Sequence, residues 1–218
     1  MNPWTSHQLA DSAFPTGGFA HSSGLEAAVQ MGRVAGAAGL FAFVEECLWQ
    51  ASSFSLPFLL EAHRHPSALA AVDRRCDAAT PGQVANRASR AQGRAFLRAA
   101  AALGPEVAEL AREAARAELP RHLAPVSGAA LARLGASPRE ACDLFLFQAA
   151  RGVLSAGIRL GLVGPLEGQE LLAAAGATAA LAAEAASGRS LEEAASSSPL
   201  LDLLQSHQDR LYSRLFQS

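Results

Sequence analysis

Lysine is absent from the 218 residues; all 18 cationic side chains are arginine. A P-loop lysine, a kinase strand lysine and a Schiff-base lysine are therefore excluded, so the chain by itself is no P-loop GTPase or ATPase. Isoleucine occurs once, at Ile158, and there is no hairpin signal and no alternating Val/Ile run, which removes the usual signs of a sheet. The cysteines are few and dispersed, at Cys47, Cys76 and Cys142, with no CxxC. That set argues against a disulfide scaffold and a structural zinc site and for a reducing compartment. The N-terminus has no basic flank or apolar run of the signal-peptide kind. The longest uncharged runs, such as 47–60 and 171–183, fall short of the ~20 residues of a membrane span. Charge is scarce too: 17% of residues, net −2, which leaves no basic field for nucleic acid. The expectation is a cytoplasmic protein with no membrane and no nucleic-acid partner.

What is present is helix. Half of the residues are hydrophobic, and the length suffices for one domain with a sizeable core. Apolar residues recur at three- and four-residue steps, as in Leu40, Phe43, Val44, Leu48, Ala51 and Phe54, the period of an amphipathic helix. The reading is all-α, about ten helices in one domain over 1–218, with an N-terminal segment 1–22 and a C-terminal helix 199–218. Pro57 is expected to kink or restart a helix. Thr80-Pro81 is read as a cap before a helix to about Leu103, 119–125 as irregular because of Pro120 and Pro125, and Ser137-Pro138-Arg139-Glu140 as a helix start. A flexible Ser196–Ser198 joint is expected to lead into a helix from Pro199 to Phe216, with Leu201, Leu204, Leu211 and Leu215 as its apolar stripe.

One stretch mixes turn-forming, apolar and polar residues more densely than any other: 9–26, LADSAFPTGGFAHSSGLE. Pro15 fixes one φ, and Gly17 and Gly18 permit positive φ, so the run is a sharp turn. Phe14 and Phe19 flank it and are expected to pin its arms by burial. Ser23 and Glu26 have capping-box spacing. His21-Ser22 approaches a nucleophile elbow, but Ala20 stands where Gly is needed and no strand precedes it. His63 and His65 are the nearest thing to a chelating pair; as cations at a helix C-terminus they are better explained by the macrodipole. Arg87, Arg90, Arg94 and Arg98 fall on one helix face, mixed with Asn86, Ser89 and Gln92, and can grip carboxylates of a partner or of the chain itself. Ala149, Gly152, Ala156 and Gly157 make a small-residue side on a later helix, where Arg151 and Arg159 are expected to bind carboxylates or carbonyls.

In order and spacing these motifs resemble the UreF family of urease accessory proteins. The stretch 9–26 matches the family's N-terminal signature almost residue for residue. Arg87–Leu97 resembles its Arg-Ser-Gln-Gly helix, His122–Gly128 its His-x-x-Pro-Val-x-Gly segment, Leu154–Leu166 its Ser-Ala-x-x-Arg-Leu helix end, and Tyr212–Ser218 its closing Arg-Leu-Phe-x-Ser. Gly164-Pro165 and Pro199–Asp202 look more like the eukaryotic branch. Ser127 departs from the pattern at a position usually aromatic, as do Gln217 and the 207–210 segment. The resemblance implies an all-α homodimer without catalytic activity that binds UreD (also called UreH) and the GTPase UreG to deliver nickel to apo-urease. It implies no permanent cofactor, nickel handled transiently, and GTP held by UreG. Partner contacts are then expected at His21, Glu26, Arg87, Arg94, His122, Arg159, Tyr212, Arg214, Leu215 and Phe216. Phe14, Pro15, Gly17, Gly18 and Phe19 fix the turn. No metal site is expected beyond weak transient ligation by His63 and His65. The C-terminal segment 199–218 is expected to order fully only against UreD. The alternatives are a small hydrolase using Ser22 and His21, and a helical interaction module unlinked to metal.

Overall fold

The computed structural model describes residues 1–218, and the chain is all-α. Its helices are α1 Pro3–Ala10, α2 Leu25–Gln30, α3 Gly36–Gln50, α4 Leu56–Arg64, α5 Leu69–Ala79, α6 Gln83–Ala100, α7 Pro105–Arg116, α8 Leu123–Arg133, α9 Pro138–Arg159, α10 Pro165–Ser187 and α11 Pro199–His207.

Helix α8 is the axis of the molecule. Residues Ala124 to Leu131 are buried without a break, as expected of a helix that is small and apolar all round. It packs mainly on α4 and α6 and also meets α5, α7 and α9. Two glycines let backbones touch: a Cβ on Gly128 would overlap the Leu59 carbonyl oxygen of α4, and one on Gly93 of α6 would overlap the Arg121 carbonyl oxygen. Pro125 does not interrupt the chain here. It is the third residue of α8, where no intrahelical N–H bond is due, so 119–125 is less irregular than its prolines suggest.

The second layer is the α9–α10 pair, joined at Gly161 (φ +75°), with α3 packed against both. Leu40 of α3 sits over Gly157 of α9, which puts part of the small-residue side to use in internal packing. Helix α9 is long and apolar enough to cross a membrane by length and composition, which the uncharged runs did not indicate; over half of that stretch is buried in the fold. Its start is the reciprocal capping box expected: Glu140 N–H donates to Ser137 Oγ (3.2 Å) and Ser137 N–H to Glu140 Oε2 (2.7 Å).

Pro57 stands where a helix restarts, as expected. A π-helical turn, Ala51–Ser55, joins α3 to α4 in one rod, and Pro57 falls in the first turn of α4. Thr80 is not the cap of α6: its hydroxyl donates back to the Cys76 carbonyl (2.8 Å), and α6 begins only at Gln83. The 196–198 joint is held rather than free. Gln50 Oε1 accepts from the N–H groups of Ser197 (2.7 Å) and Ser198 (2.9 Å), and Ser198 Oγ donates to Glu46 (3.0 Å). The last helix stops at His207, so Leu211 and Leu215 lie beyond it and the four-leucine stripe is not continuous. Leu201 and Leu204 are buried where α11 packs on α2 and α6 of its own chain, with no partner present.

Candidate functional site

The 9–26 stretch is shaped by tertiary contacts as much as by its own turn residues. Asp11 accepts the Ala13 N–H (2.8 Å) to open the turn. Gly17 takes the left-handed conformation (φ +74°); Gly18 does not. Pro15 is exposed between them and Phe14. The ring of Phe14 meets Phe96 edge-on at 6.2 Å. Phe19 is not pinned by burial: it is 70% exposed. It stacks instead on the Arg159 guanidinium, whose Cζ lies 3.8 Å from its ring centroid and 4.3 Å from that of Phe216, a cation held between two π faces. Arg159 also donates to the Phe19 carbonyl, and Arg151 to that of Ala10.

The capping box expected at Ser23 and Glu26 does not form. Ser23 (φ +56°) and Gly24 (φ +87°) are both left-handed, and Gly24 lies so close to Gln205 that a Cβ would fall 2.9 Å from its nitrogen. Ser22 takes over the cap and accepts the Glu26 N–H (3.3 Å). The Glu26 carboxylate is thereby released toward the C-terminal tail. It accepts from Leu215 N–H (2.6 Å), Phe216 N–H (3.1 Å) and Gln208 Nε2 (2.6 Å), and is 2% exposed. The tail is held along its length: Gln217 N–H donates to the Ala20 carbonyl (2.8 Å), and the Ser218 main-chain oxygen accepts from both Ser22 N–H and Ser22 Oγ (2.9 Å for the latter). His21 Nδ1 lies 2.7 Å from Ser218 Oγ. Burial, and then the Arg87 charge, hold the His21 imidazole below the usual histidine pKa. Ser22 and His21 are thus each occupied by Ser218.

A second polar node fixes the start of α8. His122 is fully buried. Its Nε2 lies 2.9 Å from Asp77 Oδ1 and its Nδ1 3.1 Å from Ser89 Oγ. Hydrogen bonds from His122 and Asn86 hold the Asp77 carboxyl below its usual range. Ser89 Oγ, beside Nδ1, also accepts the Leu123 N–H (3.2 Å), so one hydroxyl ties the His122 ring to the first turn of α8. Asp73, also buried, accepts from Arg121 N–H (2.6 Å) and His122 N–H (2.7 Å); burial raises its pKa against the pull of those donors. Nothing in the sequence marked Asp73, Asp77, Gln208 or Ser218 for these roles, because each acts across 45 or more residues or on the tail.

The expected contact residues therefore divide. His21, Glu26, His122 and Phe216 are buried and knit the chain to itself. Arg87 pairs with Asp209 (2.9 Å), as does Arg214 (3.1 Å). Arg94, Tyr212 and Leu215 are exposed, and Arg159 is half-buried in its aromatic stack. Glu45 and Glu46 accept the hydroxyls of Thr178 (2.6 Å) and Ser198 (3.0 Å). His63 Nε2 donates to the Ala136 carbonyl (2.8 Å), while His65 is exposed at the end of α4. No three His, Cys, Asp or Glu side chains converge as a metal site. Burial pushes the thiols up, to about 12 for Cys47 and Cys76 and about 11 for Cys142, so all three stay protonated near neutrality, unlike the thiolate that binds metal.

Comparison with known proteins now adds to this geometry. A profile of the UreF family matches residues 34–176. The chain is 36% identical to urease accessory protein F of Oryza sativa subsp. indica, over 98% of this chain and 84% of the relative. It is 36% identical to that of Arabidopsis thaliana over 98% and 91%, and 35% identical to urease accessory protein UreF of Agrobacterium fabrum over 94% and 92%. With a profile over most of its length and relatives aligned nearly end to end, the chain belongs to the UreF family.

Proposed function

We propose that the chain is a urease accessory protein that works as a non-catalytic scaffold: it assembles with UreD/UreH and the GTPase UreG to insert nickel into apo-urease. The observation that carries this reading is the end-to-end likeness to plant urease accessory protein F. The absence of lysine agrees with it, since the nucleotide chemistry must then lie in another subunit. Nickel is cargo of the assembly rather than a resident ion, and transfer along weak, exchangeable ligands needs no closed site in this chain. The working form is a cytoplasmic homodimer. Its partner surface is drawn from the exposed members of the expected set that make no ion pair, Arg94, Tyr212 and Leu215, and from the outward side of α11, where Leu203 is 68% exposed.

Reconstitution tests the proposal. Purified chain, UreD, UreG, GTP, nickel, bicarbonate and apo-urease are combined, with the chain left out of the control. Urease activity is expected only in the complete mixture; equal activation in both sinks the reading. Leu203→Glu is expected to fold normally and to lose UreD on size-exclusion chromatography. Retention of UreD by that variant removes α11 from the partner surface.

A further inference from the structure

Between α6 and α7 lies a cleft of about 720 Å³ in which every lining residue is Arg, Ala or Leu. Arg94 and Arg98 stand one turn apart on α6, Arg112 faces them from α7, and Arg121 closes the end near α8. Arg87 and Arg90, earlier on the same helix, reach Asp209 and Asp77. Arg94 and Arg98 are exposed and make neither an ion pair nor a hydrogen bond. Arg121 Nε donates only to the Leu119 carbonyl (3.1 Å). Arg112 pairs with Glu109 (2.6 Å), which is not part of the cleft. The Arg94 guanidinium is pushed down by partial burial and then by the charges of Arg121 and Arg90. Positive charge is therefore gathered here against its own repulsion, and Arg94, Arg98 and Arg121 are left without an acidic partner, in a chain whose net charge is −2.

The shape says what completes it. The floor includes Ala95, Ala108 and Ala111, and small side chains let a third helix approach to the usual ~8–10 Å between axes. Arginines one turn apart match carboxylates at i, i+4 on such a helix, and guanidinium pairs with carboxylate in a forked geometry. A single phosphate would engage one arginine pair and leave the alanine floor bare. We propose that this cleft docks an acidic helical segment of a partner protein, held by Arg94, Arg98 and Arg121. The proposal extends the scaffold role without depending on it, because the chain alone can be tested.

The probe is a fluorescein-labelled, alanine-based helical peptide with glutamates at i, i+4 spacing, beside the same peptide with glutamines. Fluorescence anisotropy with the full chain is expected to show binding of the glutamate peptide only, weakening as salt rises. The double variant Arg94→Glu/Arg98→Glu is expected to bind it ~tenfold more weakly or worse, with helical circular dichroism and melting unchanged. Arg33→Glu, at an exposed arginine outside the cleft, is expected to bind as the parent does. Equal binding of the two peptides, or by the double variant, overturns the proposal. Displacement of the peptide by inorganic phosphate but not by chloride of equal ionic strength makes the cleft a small-anion site and overturns it as well. Failure of the urease reconstitution with this peptide result intact sinks only the urease role.

Discussion

Helix α8 and the C-terminal tail are both held by the rest of the chain, but by different means. Beyond its polar first turn, α8 is held by van der Waals contact, down to glycine against backbone at Gly128, and Gly93 is pressed as closely on the chain leading into it. Around the tail they are hydrogen bonds, centred on the Glu26 carboxylate and on Ser22. Packed apolar contacts leave no room for an added atom and hardly respond to pH. A polar seam over a few residues can open as a unit and depends on the state of each partner. The first region fixes the fold; the second is a seam that a partner or a change of pH can address.

The sharpest way to break this contrast is at Gly128. Gly128→Ala drives a methyl into the Leu59 carbonyl, so a loss of about 3 kcal/mol or more is expected; a melting curve close to the parent's removes the backbone contact from the account. Glu26→Ala comes next. It leaves two main-chain N–H groups and one of the two Gln208 amide hydrogens without an acceptor, the other still reaching the Phe216 carbonyl, about 2–3 kcal/mol if they stay buried. The tail is expected to detach instead: amide exchange should rise across 211–218 while α8 keeps its protection. Uniform protection in that variant would mean that Glu26 is not the anchor.

The pH response is smaller. His21 has a folded pKa below its unfolded value of about 6.5, so its contribution is present above about 6.5 and fades as pH falls through the lowered folded value. Asp209, held down by Arg87, adds a loss of the same sign at lower pH. Asp73 acts oppositely: with its pKa raised, it favours the fold as pH falls toward its unfolded value. Protection of the tail amides, each rate being divided by the intrinsic exchange rate at that pH, is expected to weaken as pH drops below about 6.5 in the parent, and His21→Gln should flatten that step; a step unchanged in the variant points away from His21. The smallest effect is at Ser127, whose buried hydroxyl has no partner. Ser127→Ala should leave stability unchanged or raise it by up to about 1 kcal/mol, and a loss of that size instead would reveal a hidden hydrogen bond.

Helix positions were legible wherever local signals met no rival. Ser137 and Glu140 form the box their spacing announces because both are exposed and the one other group at Glu140, the N-terminal ammonium at 3.7 Å, leaves the box intact. The same spacing at Ser23 and Glu26 fails because Gly24 is pressed on Gln205 and the tail takes the carboxylate. Thr80 likewise turns back to Cys76. Proline misled in the opposite direction: Pro125 sits where a helix has no N–H bond to lose. The 9–26 stretch could be recognised as a turn and a family signature, yet its chemistry could not be read locally. Its partners, Arg159, Gln208 and Ser218, lie more than 130 residues away. Arg94 could be picked out as a candidate; its cleft could not, since α7 and Arg121 supply the facing wall.

The π turn at Ala51–Ser55 joins the α3 rod, which meets α9 and α10, to α4, which meets α8. Such a turn absorbs one residue beyond the α-helical count. Were the same residues wound as plain α-helix, every side chain of α4 would swing about 100° around the axis, at 3.6 residues per turn. The rod thus carries one residue more than its two faces require. Deleting one residue within 51–55 leaves both faces aligned, while deleting one inside α4 turns the remainder of that helix away from α8. At this joint the fold is set by the length of the chain, and one residue can be lost from within a continuous helix without changing which residues face the core.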